Sequence, residues 1–148
     1  MTDPLATLDE TGDPASPTAV PTGLDRLLAQ ARDAIAPRPG PADLADVRAD
    51  GGLVVDIRPV DLRTRDGLLP GALVIDRNVL EWRLDPAGEW RIPEVTGPDQ
   101  QVVLFCDEGY ASSLAAVTLR QIGLRRATDL DGGYQAWLRT TRHDEVAG

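Results

Sequence analysis

Short runs of consecutive apolar residues alternate along the chain with stretches in which apolar residues recur at helical spacing. The apolar runs predict buried strands at residues 53–57, 73–76, 101–105 and 126–130. The helical spacing predicts an amphipathic helix at residues 24–35, a second clear helix at 112–122, and shorter helices at 44–47, at 61–66 and around Tyr134 and Trp137. Residues 78–98 hold several turn signals and are predicted as a helical turn followed by an irregular excursion. Continuously apolar strands that alternate with helices are typical of an α/β fold with a parallel sheet covered on both faces.

The length of 148 residues suits one domain. Residues 1–23 are rich in Pro, Thr, Asp and Gly without an apolar period, and they are predicted as a flexible N-terminal tail. The folded domain is expected over residues 24–140, with a C-terminal tail at 141–148. The start of the chain lacks the features of a secretory signal, and no apolar run reaches membrane-spanning length. A cytoplasmic location is therefore expected.

Charge and composition narrow the range of chemistry. The net charge is −9 and the sequence pI is near 4.5, so nucleic acids and anionic membrane surfaces are not expected partners. All 15 basic residues are Arg, which excludes Schiff-base chemistry on a lysine. One cysteine, Cys106, and one histidine, His143, exclude an internal disulfide and argue against a zinc site built from Cys and His. No metal and no cofactor is expected.

Three residues end predicted parallel strands, where α/β sheets bind their ligands: Asp56, Asp76 and Cys106. A short loop and then a helix follow Cys106, and backbone N–H groups in such a loop can stabilise an anion such as a thiolate. Gly109 permits an unusual backbone angle in the loop, and Ser112 is a plausible N-cap of the helix. The alternative is an inert core cysteine, since free cysteine is often buried.

Four motifs in order resemble a rhodanese-like (sulfurtransferase) domain over residues 41–138. Val54-Val55-Asp56-Ile57-Arg58 is similar to the early strand motif of that family. Gly67-Leu68-Leu69-Pro70-Gly71-Ala72 resembles its Gly-His-Ile-Pro-Gly-Ala motif, with Leu68 in place of the usual His. The run from Phe105 to Ser112 resembles the active-site loop, and the run from Leu130 to Trp137 resembles the closing Leu-x-Gly-Gly-x-x-x-Trp.

The resemblance implies a mainly parallel sheet of about five strands, and a sulfurtransferase that moves a sulfane sulfur through a persulfide on Cys106. The donor would be a small sulfur compound or a protein persulfide, and the acceptor a thiol or cyanide. The catalytic residue would be Cys106, and the loop that binds the substrate would consist of Asp107, Glu108, Gly109, Tyr110, Ala111 and Ser112.

The loop departs from the family in its charge. Many rhodaneses have a basic residue after the cysteine, where this chain has Asp107 and then Glu108. Because carboxylates repel a dianion, thiosulfate is expected to be a poor donor. Arg58 and Arg77 follow strands that end near the loop and could offset this charge, or else pair with surface carboxylates.

Two further residues near the loop have open assignments. Asp56 could brace the loop or be a polar strand end, and Tyr110 could form a pocket wall or lie on the surface.

Three other functions remain open at this point. An acidic loop also fits a non-catalytic, rhodanese-like module that binds or regulates a protein. A phosphatase with Cys-x₅-Arg would need an arginine where this chain has Ser112. A thiol redox sensor would need a partner thiol from another molecule, because the chain has no second cysteine.

Overall fold

The structure is a computed structural model that describes the backbone of residues 19–147 and the side chains of residues 19–142. Most of the predicted N-terminal tail, residues 1–18, lies outside the described residues. The first helix begins at Gly23, immediately after the predicted end of that tail.

A four-stranded, wholly parallel sheet lies at the centre of the described residues. The spatial order of its strands is β2-β1-β3-β4. The strands are β1 (Leu53–Asp56), β2 (Leu73–Val74), β3 (Gln101–Phe105) and β4 (Arg126–Asp129). The parallel α/β architecture predicted from the sequence is confirmed, with four strands where the family resemblance implied about five. Prolines and glycines at residues 86–98 disfavour a further strand there, because proline cannot donate to a ladder.

Helices cover both faces of the sheet, as predicted. They are α1 (Gly23–Ala34), α2 (Leu44–Ala49), α3 (Val60–Asp66), α4 (Leu80–Leu84), α5 (Ala111–Gln121) and α6 (Gly133–Ala147), with 3₁₀ turns at Pro41–Asp43 and Arg77–Val79. Successive strand residues point to opposite faces. Val55 therefore packs in one apolar core together with Ile35, which directly follows α1, whereas Val54 packs in a second core with Tyr134. None of these helices within residues 19–147 is long and apolar enough to cross a membrane.

Features of the sequence explain where the first helix begins and where the last helix ends. Helix α1 begins at a capping box in which Thr22 and Asp25 exchange hydrogen bonds of 2.9 and 3.0 Å between side chain and backbone. Helix α6 runs on to Ala147, through residues 141–147 that were predicted as a tail. The helix continues because no proline or glycine interrupts residues 134–147.

Candidate active site

Cys106 lies at the carboxyl edge of the sheet, directly after β3 and between the ends of β1 and β4. Its side chain is almost buried, with 9% exposure. The Sγ atom accepts hydrogen bonds from the N–H groups of Gly109 at 3.2 Å and Ser112 at 3.4 Å. The loop therefore wraps around the sulfur and directs backbone dipoles toward it, which favours negative charge at that atom.

Two glycines make this loop possible. Gly109 has φ of +89°, and a side chain there would begin 3.1 Å from the backbone nitrogen of Gly132 and 3.3 Å from the oxygen of Leu130. Gly133 has φ of +62°, and its added Cβ would lie 2.8 Å from the carbonyl oxygen of Cys106. The tight approach lets the N–H of Tyr134 donate to that same oxygen at 3.0 Å. The Gly-Gly motif thus fastens the start of α6 to the cysteine loop.

Ser112 does not cap the helix, so the predicted N-cap role is wrong. Tyr110 precedes α5, and Ser112 is the second residue of the helix and fully buried. Its hydroxyl accepts from the Cys106 thiol at 3.2 Å and donates to Asp129 Oδ2 at 2.7 Å. Because the side chain turns inward to a carboxylate, it connects the sulfur to the interior of the protein instead of closing the helix end.

Sequence reasoning missed the group that lies behind the loop. Asp129, at the end of β4, is fully buried and accepts from Ser113 Oγ at 2.7 Å and from Arg38 Nε at 2.7 Å. Burial lowers the pKa of Arg38, but the hydrogen bond and charge of Asp129 raise it more, so that the pKa lies above its ordinary value. An acid at the end of a strand was a usable signal for Asp129. No local signal pointed to Arg38, because its partners are distant in the sequence.

Asp56 and Arg58 form a buried ion pair rather than a brace for the cysteine loop. Arg58 is 1% exposed, and its Nη2 lies 2.7 Å from Asp56 Oδ2. The guanidinium stands 3.7 Å from the ring centroid of Tyr134 and donates to the carbonyl of Gly67 at 2.9 Å. The pair therefore ties β1 to the end of α3 and to α6, while the surface pairing considered for Arg58 does not occur.

Arg77 and Asp76 have separate roles. Arg77 Nη1 donates to both carboxylate oxygens of Glu81, at 2.8 and 2.9 Å. Asp76 accepts from the N–H of Asn78 at 2.7 Å and caps the 3₁₀ turn. Arg77 does reach the edge of the site, but its charge is already opposed by a carboxylate.

A cavity of about 300 Å³ opens in front of Cys106. Apolar groups dominate its walls, and four of the residues that line it are charged. The apolar lining comes from Ile57, Pro59, Leu62, Tyr110 and Ala111, and the charged lining from Arg58, Arg77, Asp107 and Glu108. Tyr110, 55% exposed, forms the outer wall.

The two acidic side chains of the loop differ in their surroundings. Asp107 accepts from Gln135 Nε2 at 2.9 Å, and Arg65 Nη2 lies 3.6 Å from it. Glu108 is exposed, and within residues 19–142 it has no ion-pair or hydrogen-bond partner. The unopposed negative charge at the cavity is therefore that of Glu108.

Comparison with known proteins agrees with this fold. Residues 40–140 match the model of the rhodanese-like domain family. A sulfurtransferase of Allochromatium vinosum is 34% identical over 99 residues, which are 66% of this chain and 78% of that protein. A human single-domain sulfurtransferase superposes with a TM-score of 0.58 at 27% identity, over 70% of this chain and 96% of that one.

A third similar protein has a different description. The structure of a protein of unknown function from Rhodopseudomonas palustris, described as a "possible tyrosine phosphatase", has a TM-score of 0.71 and 30% identity. The match covers 86% of this chain and 97% of that chain.

The fold, the cysteine loop and the family match together define the class: this chain belongs to the rhodanese-like domain family. Within that family, its curated relative and a structural neighbour are sulfurtransferases.

Proposed function

We propose that this protein is a sulfurtransferase in which Cys106 carries sulfur as a persulfide. The Cys106 thiolate attacks the outer sulfur of a donor R–S–SH, the donor S–S bond breaks, and R–S⁻ leaves with the electron pair. An acceptor thiolate R′–S⁻ then attacks the outer sulfur of Cys106–S–SH. The products are R′–S–SH and the regenerated Cys106 thiolate, so atoms and electrons balance without a cofactor.

The observation that carries this proposal is the pair of backbone N–H groups directed at Sγ from Gly109 and Ser112. The Cys106 thiolate and the ionised form of its persulfide, Cys106–S–S⁻, both need such preorganised donors, as an oxyanion does in acyl transfer. The N–H groups of Tyr110 and Ala111 make no hydrogen bond within residues 19–142 and are available to the outer sulfur. The cavity in front of Cys106 gives donor and acceptor access to it.

Intact mass spectrometry tests the carrier directly. The purified protein is exposed to a panel of sulfur donors and then to cyanide, with Cys106→Ser alongside. The expected result is a gain of one sulfur in the wild type only, removed by cyanide with release of thiocyanate. If no donor loads the wild type, the sulfurtransferase proposal fails, and a non-catalytic binding module, which would tolerate Cys106→Ser, becomes the better description.

The charges around the cavity support a poor use of thiosulfate. Arg58 and Arg77, which could attract a dianion, are each engaged by a carboxylate. Glu108 adds an unopposed negative charge at the cavity, and the remaining walls are largely apolar. A neutral organic persulfide, or a protein persulfide on a basic surface, avoids this repulsion and can bury its organic part against Pro59 and Tyr110.

Glu108→Gln tests this donor preference. In this variant the kcat/KM for thiosulfate is expected to rise about threefold to tenfold, because a like charge near a partly exposed site is removed. In the wild type the same kcat/KM is expected to rise with added salt, which screens the repulsion. The kcat/KM for a neutral persulfide is expected to stay unchanged. Glu89→Gln, also at an exposed glutamate but not part of the cavity lining, is the matched control. Equal preference of the wild type for thiosulfate and neutral donors would contradict the argument.

The phosphatase chemistry suggested for the R. palustris protein is not favoured in this chain. The position six residues after Cys106 is Ser112, whose hydroxyl is bonded to Asp129, so no guanidinium clamps an oxyanion there. Hydrolysis of an aryl phosphate by the wild type, lost in Cys106→Ser, would reverse this preference.

A further inference from the structure

Two arginines from outside the family-matched region hold the loop that surrounds the sulfur. Arg32 Nη2 donates to the carbonyl oxygen of Gly109 at 2.7 Å, and Arg38 Nη2 donates to the same oxygen at 3.2 Å. Both residues precede residue 40, where the match to the rhodanese-like domain begins. Arg32 lies on α1 and Arg38 in the segment that follows it.

The segment that carries these arginines is firmly seated. Ile35 is fully buried in the core, and its carbonyl accepts from Thr128 Oγ1 at 2.8 Å. The carbonyl of Pro39 accepts from the N–H of Asp131 at 2.9 Å, and Arg38 is paired with Asp129. The segment is thus attached to β4 and to the turn after it, at several points between α1 and residue 40.

The hydrogen bonds from the two arginines to the Gly109 carbonyl control the direction of the neighbouring N–H groups. Because a trans peptide is planar, the N–H of Tyr110 points opposite to the Gly109 oxygen and therefore away from the arginines. Gly109 itself donates its N–H to Cys106 Sγ at 3.2 Å. Its φ of +89° is accessible to few other residues, and as a glycine it has many alternative conformations if the hold is lost.

Neither arginine lines the cavity, so both act from behind the loop and not on the substrate. Arg32 also stacks 5.3 Å from the ring centroid of Tyr110, and its Nε lies 3.3 Å from Ser113 Oγ. The contacts of Arg32 thus reach the loop at its bend, at its outer wall and at the start of α5.

We propose that Arg32 and Arg38 are positioning residues of the sulfur-transfer site, and that the segment before residue 40 is a working part of that site. By holding the Gly109 carbonyl they keep the loop N–H groups directed at the reduced and the persulfidated sulfur. The role in transfer rests on the proposed function. The role in loop geometry also predicts the reactivity of the free thiol, which can be measured without any sulfur donor.

The main test uses Arg32→Ala, Arg32→Lys and Arg26→Ala in the full chain. Arg26 is the matched control, since it lies on the same helix and its guanidinium, among the described residues, donates to the nearby carbonyl of Pro21 and not to the cysteine loop. With a saturating donor, Arg32→Ala is expected to lower kcat about tenfold, the effect of losing a charged hydrogen bond. Arg26→Ala is expected to match the wild type, and Arg32→Lys to recover part of the loss because a lysine can still donate to the carbonyl.

Chemical rescue separates positioning from general loss of structure. Guanidinium chloride at a sub-denaturing concentration is expected to restore part of the activity of Arg32→Ala, while sodium chloride at the same concentration does not. Arg38→Lys retains a charge opposite Asp129 but lacks the planar fork that donates to both Asp129 and Gly109. It provides a second variant, assayed well below its own thermal midpoint so that only folded protein is compared, and a lower kcat is expected. Wild-type kcat in both Arg32→Ala and Arg38→Lys would overturn the proposal.

Alkylation of Cys106 by iodoacetamide keeps this test distinct from that of the proposed function. The rate is expected to fall in Arg32→Ala relative to the wild type and Arg26→Ala, because the N–H donors no longer hold negative charge on the sulfur. If no donor loads the wild type but the alkylation rate falls as expected, the sulfurtransferase proposal fails and the positioning of the loop stands. Unchanged or faster alkylation in Arg32→Ala overturns the positioning role.

Discussion

The buried carboxylate of Asp129 allows a quantitative test of the network behind Cys106. It is 0% exposed and accepts two hydrogen bonds from Arg38, from Nε at 2.7 Å and from Nη2 at 3.3 Å. It also accepts one hydroxyl each from Ser112 and Ser113, both at 2.7 Å. Asp129→Asn keeps the shape of the side chain but removes its charge and one acceptor oxygen. The carboxamide nitrogen must then face either the guanidinium or the serines.

The chemistry of the donors decides between these orientations. A serine hydroxyl can turn and accept, whereas a guanidinium can only donate, so the amide oxygen should face Arg38. The hydrogen bonds of Arg38 then become charge–neutral or are lost. Since a charged hydrogen bond contributes about 1.5–3 kcal/mol and a neutral one about 0.5–1.5 kcal/mol, Asp129→Asn should lower the free energy of unfolding by about 2–3 kcal/mol. Asp129→Ala should cost about 4 kcal/mol, because it also leaves a void and an unpaired charge.

Asp131→Asn is the matched control, because Asp131 pairs with the same arginine. Its Oδ1 lies 3.2 Å from Arg38 Nη1, but the side chain is 67% exposed, so the expected cost is below about 1 kcal/mol. Urea unfolding followed by tryptophan fluorescence gives all three free energies. Equal costs at Asp129 and Asp131 would refute the reasoning, since burial would then not determine the contribution of the pair.

Three further predictions concern the loop and the pH dependence of stability. Gly133→Ala should lower the free energy of unfolding by more than about 3 kcal/mol, because its Cβ would lie 2.7 Å from the Asp107 oxygen. Gly51→Ala is the control: with φ of +86° but open space around it, it should cost only about 1–2 kcal/mol. Similar losses for the two variants in urea unfolding would contradict the steric argument. Ser112→Ala should cost about 1 kcal/mol yet still load sulfur onto Cys106 in the mass assay, because the backbone N–H donors remain; failure to load would make the hydroxyl essential. Burial raises the pKa of Glu81, but hydrogen bonds from Thr118 and Arg77 lower it more, so that it lies below its ordinary value of 4.5. The ionised Glu81 therefore stabilises the fold above pH 4.5, and this contribution is lost as the pH falls through the lower pKa of the folded state. Glu81→Gln should therefore flatten the acid side of the stability profile, and an unchanged slope would exclude this source.

The fold could be predicted largely because its signals are local. Buried parallel strands are apolar on both faces, and the run that predicted residues 101–105 corresponds to β3 in full. Strand β2 is shorter than predicted, since it lies at the sheet edge and Val74 is exposed. Asp76, predicted to end that strand, instead caps the following 3₁₀ turn. Edge position and capping depend on neighbours that a local pattern does not reveal.

The site divides in the same way into a local and a distant part. Cys106 and its loop are contiguous, so motif and strand position were enough to predict that the loop follows the carboxyl end of β3. Arg32 and Arg38 contact Gly109 across 77 and 71 residues, and no spacing rule connects positions so far apart. Ser112 was misassigned because a serine near a helix start usually serves as a cap. Its inward turn depends on the buried Asp129, 17 residues later.

The distribution of charge around the loop also explains how its cavity side can be acidic while the loop still stabilises a sulfur anion. A basic side chain in such a loop can both stabilise sulfur anions and attract an anionic donor. In this chain the cations that hold the loop, Arg32 and Arg38, lie behind it, and the cavity in front has Asp107 and Glu108 among its lining. The two effects are thus physically separated, since a guanidinium behind the loop can orient N–H groups toward the sulfur without drawing a dianion into the cavity. An acidic loop is therefore compatible with the proposed sulfur chemistry at Cys106, and the proposed preference against anionic donors rests on the same arrangement.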